Sequence, residues 1–283
     1  MTLLQYDSVR EFEAAIRPFL ESHEAANSLF LGRLTALRDY ASTTQLLMGQ
    51  VCFDDNSVFG AFFTGSGLIL SEGPTEAIPF IVSAISESGL CIPSVVGPLL
   101  ETELFAQSWC MANHCTVIST REDQIYELKS LKPPRTCEGF IRRAVTGDVE
   151  RLTRWTADHA SEALGIECVQ ERKLRNQIVQ KLNESRMFVW DRDGVAVSMA
   201  SILRPTRHTM AINAVYTPLM HRNFGYATAL VAGVSEHILN SGKQSVVLYT
   251  DRSNMTANSI YQKLGFIPIC RSLSCNFSIQ ITT

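Results

Sequence analysis

The sequence predicts an α/β fold with mixed β-sheets, laid out as two domains in tandem. Three observations lead there. Short β-rich runs alternate with amphipathic helical stretches along the whole chain. The adjacent Pro133 and Pro134 sit in a polar stretch, 129–138, where missing backbone donors mark a linker. The pieces on either side, 1–128 and 139–283, each approach the usual domain size and each begin with helical stretches ahead of strands.

In the second piece, Asp148 stands at an N-cap position before a helical stretch over 149–160. A second stretch, 170–183, carries Leu174, Ile178 and Leu182 at four-residue spacing. The β-rich runs 187–190 and 195–203 flank Asp193-Gly194, a pair that favours a tight hairpin. A turn at 205–207 leads to a third strand over 209–217. Over 225–241, Ala227, Leu230, Val231, Val234 and Ile238 share one helical stripe, and Gly242 is placed to end it. A buried strand over 244–250, a helix over 254–264 stopped by Gly265, and a final strand pair over 266–281 follow. The first piece reads in a similar order. It has helices over 9–20 and 25–37, strands near 45–53, 58–65 and 67–71, and a helix over 76–88. A strand at 94–97, a helix at 101–110 and closing strand material at 117–128 complete it.

Composition removes several function classes. With 46% apolar and 19% charged residues, the chain is neither disordered nor of low complexity. A net charge of −3 argues against a nucleic-acid surface, which needs a basic face. The longest apolar run, 77–85, is about half of what a spanning helix requires. Asp7 and Glu11 near the start, with no cationic segment, argue against a signal peptide. Cys52, Cys91, Cys110, Cys115, Cys137, Cys168, Cys270 and Cys275 form no CxxC pair, and Cys110, His114 and Cys115 lack a second ligand pair. The expectation is a cytoplasmic protein with free thiols, no metal, no membrane segment and no nucleic-acid partner; a homodimer stays open.

The chemistry is written between 214 and 266. Val215-Tyr216-Thr217-Pro218 ends a strand, and Arg222-Asn223-Phe224-Gly225-Tyr226-Ala227 opens a helix. Backbone N–H groups at such a helix start, with the positive end of the helix dipole, favour an anion. Gly225 permits unusual dihedrals and a close approach, Ala227 stays small, and Arg222 adds positive charge. A plain strand-to-helix turn carries a glycine too, so this segment alone decides little. Downstream, Asn254, Ala257 or Asn258, and Tyr261 fall on one helical face ahead of Gly265-Phe266. A phenol there is a candidate proton donor, although a tyrosine at helical spacing more often packs as core.

Together the two segments resemble the GCN5-related N-acetyltransferases, the GNAT superfamily. Arg222-x-x-Gly225-x-Ala227 is similar to its acetyl-CoA loop, 254–266 to its second signature, and the whole run to the FR47-like subgroup. The resemblance covers about 144–274 and implies tandem GNAT-like domains, the C-terminal copy intact with splayed central strands. It implies an acetyl-CoA-dependent N-acetyltransferase, an acyltransferase that moves an acetyl group to a primary amine of a small or amino-acid-like acceptor within a ternary complex. By the resemblance, the strand of Val215, Tyr216 and Thr217 parts from the strand of 248–250, and pantetheine bonds the main chain of Val215 and Thr217. The amides of Asn223, Phe224, Gly225, Tyr226 and Ala227 hold the pyrophosphate, Asn254 meets the pantetheine arm, and Tyr261 faces the CoA sulfur as catalytic acid. The first piece has no such loop, since 68–74 offers no arginine or spaced glycine pair and Pro74 removes a donor; it reads as a degenerate copy. Relatives carry a base on the strand before the loop, and 209–217 holds no carboxylate. His208, His159 and Glu162 are the candidates. Two other readings stay open: a non-catalytic acyl-CoA-binding protein, and an acyltransferase with a different donor.

Overall fold

A computed structural model describes residues 1–37, 47–54, 56–63, 65–165 and 170–278. Cys168, residues 45–46 and 64 at two expected strand ends, and 279–281 of the expected last strand lie outside them. The chain forms two compact units, Met1–Ile125 with Ile269–Thr283 and Tyr126–Pro268.

The first unit begins with β1 (Thr2–Gln5), α1 (Val9–Ser22), α2 (Ser28–Leu37), β2 (Leu47–Phe53), β3 (Asn56–Phe63) and β4 (Leu68–Leu70). It continues with α3 (Ile78–Ser88), β5 (Ser94–Pro98) and α4 (Leu99–Asn113), and β6 (Val117–Leu128) leads out of it. Strands β1 to β4 pair antiparallel in order, and β4 runs parallel to β5. Both faces of this sheet are buried, because strand side chains alternate. Leu68 and Leu70 pack with Ile81 of α3 and Phe105 of α4, whereas Ile69 packs with Phe12 of α1 and Phe30 of α2. Helices on both faces explain why these strands read as nearly continuous apolar runs.

The second unit holds β7 (Phe140–Arg143), α5 (Val149–Leu164), α6 (Glu171–Asn183), β8 (Met187–Arg192), β9 (Val195–Leu203) and β10 (Thr209–Tyr216). Next come α7 (Tyr226–Asn240), β11 (Ser245–Asp251) and α8 (Met255–Lys263), and β12 (Ile267–Phe277) leads out of the unit. From β7 to β10 the pairing is antiparallel, and β10 runs parallel to β11. Alternation recurs here. Met187, Val189 and Met199 pack with Trp155 of α5 and Ile178 of α6, while Phe188, Trp190 and Ala200 pack with Leu230 and Val234 of α7.

Asp193 and Gly194 both take positive φ, 53° and 80°, as a primed hairpin turn demands. The expected final strand pair is, within the described residues, one strand, β12, which pairs antiparallel with β5 and returns the chain to the first unit. The four-residue strands β1 and β7 lie outside every expected element; each is exposed along much of its length and therefore lacks a strong apolar pattern. Asp148 does not cap α5 through its side chain. Its Oδ2 instead accepts from the Val145 N–H at 2.9 Å and from Arg142 at 2.6 Å, while another Arg142 nitrogen bonds the buried Asp191 at 2.7 Å. Among the described residues no helix is long and apolar enough to cross a membrane, and no group of three or more His, Cys, Asp or Glu is arranged to hold a metal.

Candidate functional site

The central strands of the second unit part at one end. Parallel pairing between β10 and β11 runs from Thr209↔Ser245 to Ile212↔Leu248 and stops, although β10 continues to Tyr216 and β11 to Asp251. On its other side β10 slips against β9, from Asn213↔Ser201 to Tyr216↔Met199. Ala214 and Val215 therefore share the place opposite Ala200, which is a β-bulge, and Ala214 takes φ 49°. A bulge leaves one residue's amide outside the ladder and bends the strand. Ser198 fixes the far side, donating to the Tyr216 carbonyl at 3.1 Å and sharing a 2.8 Å bond with the Thr217 hydroxyl.

The turn that follows is built on two left-handed residues, Asn223 at φ 70° and Gly225 at φ 86°. Gly225 is the N-cap of α7 and supplies no side-chain cap, so the first N–H groups of α7 have no side-chain cap there. A Cβ at Gly225 would meet only Cys137, at 3.8 Å, so the glycine is required by conformation rather than by crowding. Phe224 is exposed and stacks on Tyr226 with centroids 5.6 Å apart; the buried Tyr226 ring sends its hydroxyl out to accept from Arg192 at 2.8 Å. Ala227 is half-buried on the first turn of α7.

Helix α8 is fixed at its start by Asn254, whose Oδ1 accepts from the Ala257 N–H at 3.0 Å. Asn258 donates to the Asp251 carbonyl at 3.1 Å and accepts from the Tyr126 hydroxyl at 3.0 Å, tying α8 to the end of β11. Tyr261 is buried, 7% exposed, with ring neighbours Tyr126 and Phe266 at 6.2 and 5.8 Å. Among the described residues its hydroxyl makes no hydrogen bond, and burial pushes its pKa up to about 12. A protonated phenol on a buried ring, whose hydroxyl has no protein partner among the described residues, can donate to a ligand.

At the opposite face of the open end, Glu162 near the end of α5 joins Arg222 and Tyr216. Its Oε1 accepts from the Tyr216 hydroxyl at 3.0 Å and its Oε2 from Arg222 at 2.5 Å. Arg222 also donates through Nε to the Thr217 carbonyl at 2.8 Å, and its guanidinium carbon lies 5.7 Å from the Tyr216 ring centre. Burial opposes the charge on Glu162, but the bonds from Arg222 and Tyr216 prevail and hold it below the usual carboxylate range. Burial and then the bond to Glu162 push Tyr216 up to about 12. His159 approaches Tyr216 edge-on at 6.2 Å. His208 is elsewhere: its carbonyl accepts from Gln244 at 2.8 Å at the closed end of the strand pair. At ~3.3 Å per residue along β10, that is ~23 Å from Val215.

The corresponding turn of the first unit is built differently. The Gly73 N–H donates to the Glu101 carboxylate at 3.1 Å. A Cβ at Gly97 of β5 would lie 2.9 Å from both the Cβ and the carbonyl oxygen of Leu70, so β4 and β5 stay close where β10 and β11 part.

The Acetyltransferase (GNAT) family profile matches residues 149–266. No curated protein matches the chain. Among solved structures, a Drosophila protein is 10% identical with a TM-score of 0.67, covering 97% of this chain and 98% of that one. A GCN5-related N-acetyltransferase from Sphaerobacter thermophilus is 17% identical with a TM-score of 0.60, covering 96% and 94%. A tandem GNAT protein from the clavulanic acid biosynthesis pathway is 9% identical with a TM-score of 0.57, covering 98% of each chain. These likenesses extend the tandem fold to nearly the whole chain.

Proposed function

We propose, on the match of residues 149–266 to the acetyltransferase (GNAT) family profile, that the second unit transfers an acetyl group from acetyl-CoA to a primary amine. The observation that carries this reading is the parting of β10 from β11 immediately before the left-handed turn at Gly225. Backbone groups released from the ladder would bond the pantetheine arm. The turn amides from Asn223 to Ala227 would take the pyrophosphate at the positive end of α7.

The bulge at Ala214–Val215 supplies the amide that a thioester oxygen needs as its charge grows. In the reaction the acceptor ammonium first gives a proton to water, and the neutral amine nitrogen bonds the thioester carbon. The C–S bond breaks, the thiolate leaves with the electron pair, and the second proton, shed by the new amide nitrogen, passes through water to the thiolate. Tyr261 would donate to that sulfur. At about 12 its phenol is a weaker acid than a thiol of pKa ~8.5, so its part is a hydrogen bond to the thiolate before any proton moves. Tyr216 packs with α5 and α6, whereas Tyr261 packs with α7 and α8. The acceptor and the leaving group would therefore meet the thioester from opposite faces of the sheet.

Thermal unfolding with and without acetyl-CoA tests the reading. At ~100 times the dissociation constant, ligand adds ~2.7 kcal/mol to the native state. The gain is expected in the wild type and absent in Gly225→Glu, which sets a carboxylate and a strained φ in the turn. A non-catalytic binding protein would show the same gain, and release of free CoA thiol in the presence of amines separates the two.

A further inference from the structure

We infer that Glu162 receives the ammonium group of the acceptor, and that binding of the cofactor releases it for this task by drawing Arg222 away. The inference rests on the cofactor site proposed above and deepens it.

Three elements meet at the open strand end, and each contributes one member of a closed set. Glu162 comes from the end of α5, Tyr216 from the end of β10, and Arg222 from the turn leading into α7. The two carboxylate oxygens are divided, one to Tyr216 and one to Arg222, and the arginine Nε is tied to the Thr217 carbonyl. In this arrangement Glu162 and Arg222 cancel each other's charge, so the set holds little attraction for a cation. The pair is exposed, 36% for the arginine side chain and 43% for the glutamate, and pairs of this kind are weak enough to exchange.

A pyrophosphate on the amides that follow Arg222 carries more charge than one carboxylate and offers oxygens to a guanidinium. Arg222 can turn towards it while keeping the Nε bond to Thr217, because only another nitrogen of its fork engages Glu162. Glu162 is then an anion held by the Tyr216 hydroxyl, at the face opposite Tyr261. Other charged or titratable groups near it are His159 and Asp158 on α5. One carboxylate oxygen freed beside a phenol suits a primary ammonium, a compact cation with three donors.

The test is calorimetric titration of the full chain. Acetyl-CoA is expected to bind Glu162→Gln ~3-fold more tightly than the wild type, because no carboxylate competes for Arg222. The gain is expected to vanish in the Arg222→Gln background, a double-mutant cycle that isolates the pair. With spermidine as the probe amine, binding is expected to be severalfold tighter to the wild type saturated with CoA than to the free protein, and this difference to be lost in Glu162→Gln. Equal or weaker acetyl-CoA binding by Glu162→Gln, or spermidine binding indifferent to CoA, overturns the exchange and leaves the cofactor site standing. Failure of both the wild type and Glu162→Gln to bind acetyl-CoA overturns the cofactor site and the exchange with it.

Discussion

The two units set the same sequence of elements to different ends. In each, three antiparallel strands lead through a turn to a helix, a parallel strand and a further helix. In the second unit the third strand is long, bulged and parted from its neighbour, and the turn ends in a left-handed glycine that gives the helix no side-chain cap. In the first unit the third strand is only Leu68–Leu70, and Gly97 lets Leu70 press against β5. The chain's own Glu101 bonds the turn amide of Gly73, and Pro74 removes the next donor. The comparison teaches that the sheet and its helices make the fold, while a handful of backbone settings decide whether neighbouring parallel strands part.

Substitutions sharpen that contrast. The largest effect is expected from Gly225→Glu, which should weaken acetyl-CoA binding more than 100-fold with little change in the circular dichroism spectrum, a ratio worth ~2.7 kcal/mol. Tyr261→Phe should lower turnover ~10-fold and leave the acetyl-CoA dissociation constant unchanged, since the phenol acts on a sulfur that is charged only late in the reaction. Loss of binding with an intact fold would move Tyr261 from the chemistry to the core. In the first unit, Gly97→Val should cost stability, ~1–3 kcal/mol by denaturant titration, because its side chain would press on the Leu70 backbone. The same substitution should leave acetyl-CoA affinity, read by calorimetry, unchanged.

A smaller effect concerns pH. Burial opposes the charge on Asp148, but the Arg142 bonds and the Val145 N–H hold its pKa below the ordinary value. A depressed carboxylate stabilises the fold above its unfolded pKa, ~3.9, and that contribution fades as pH falls through the lower folded value. Asp148→Asn should therefore reduce stability at neutral pH and flatten the fall in stability below pH ~4. An unchanged acid limb would assign that loss to other carboxylates.

Much of this was legible in the residues because local chemistry demanded it. Asp193-Gly194 needs two positive φ values, Gly225 needs one, and the stripe of Leu230, Val231, Val234 and Ile238 has a helical period. The bulge was not legible, because Ala214 takes its left-handed setting without a glycine to announce it. Nor were β1 and β7, short strands with few buried side chains. Glu162 stood among three candidate groups until the fold set it against Arg222 and Tyr216 and left His208 at the closed end of the strands. Contacts across ~60 positions of chain carry no local signature, since only tertiary packing brings them together.

The central claim, that one unit keeps a cofactor cleft and the other has closed it, is tested most directly by the stoichiometry of acetyl-CoA binding. Calorimetry on the full chain is expected to give one site per chain, lost on Gly225→Glu and retained on Glu101→Gln. Two sites per chain, or a site that survives Gly225→Glu, would contradict the account.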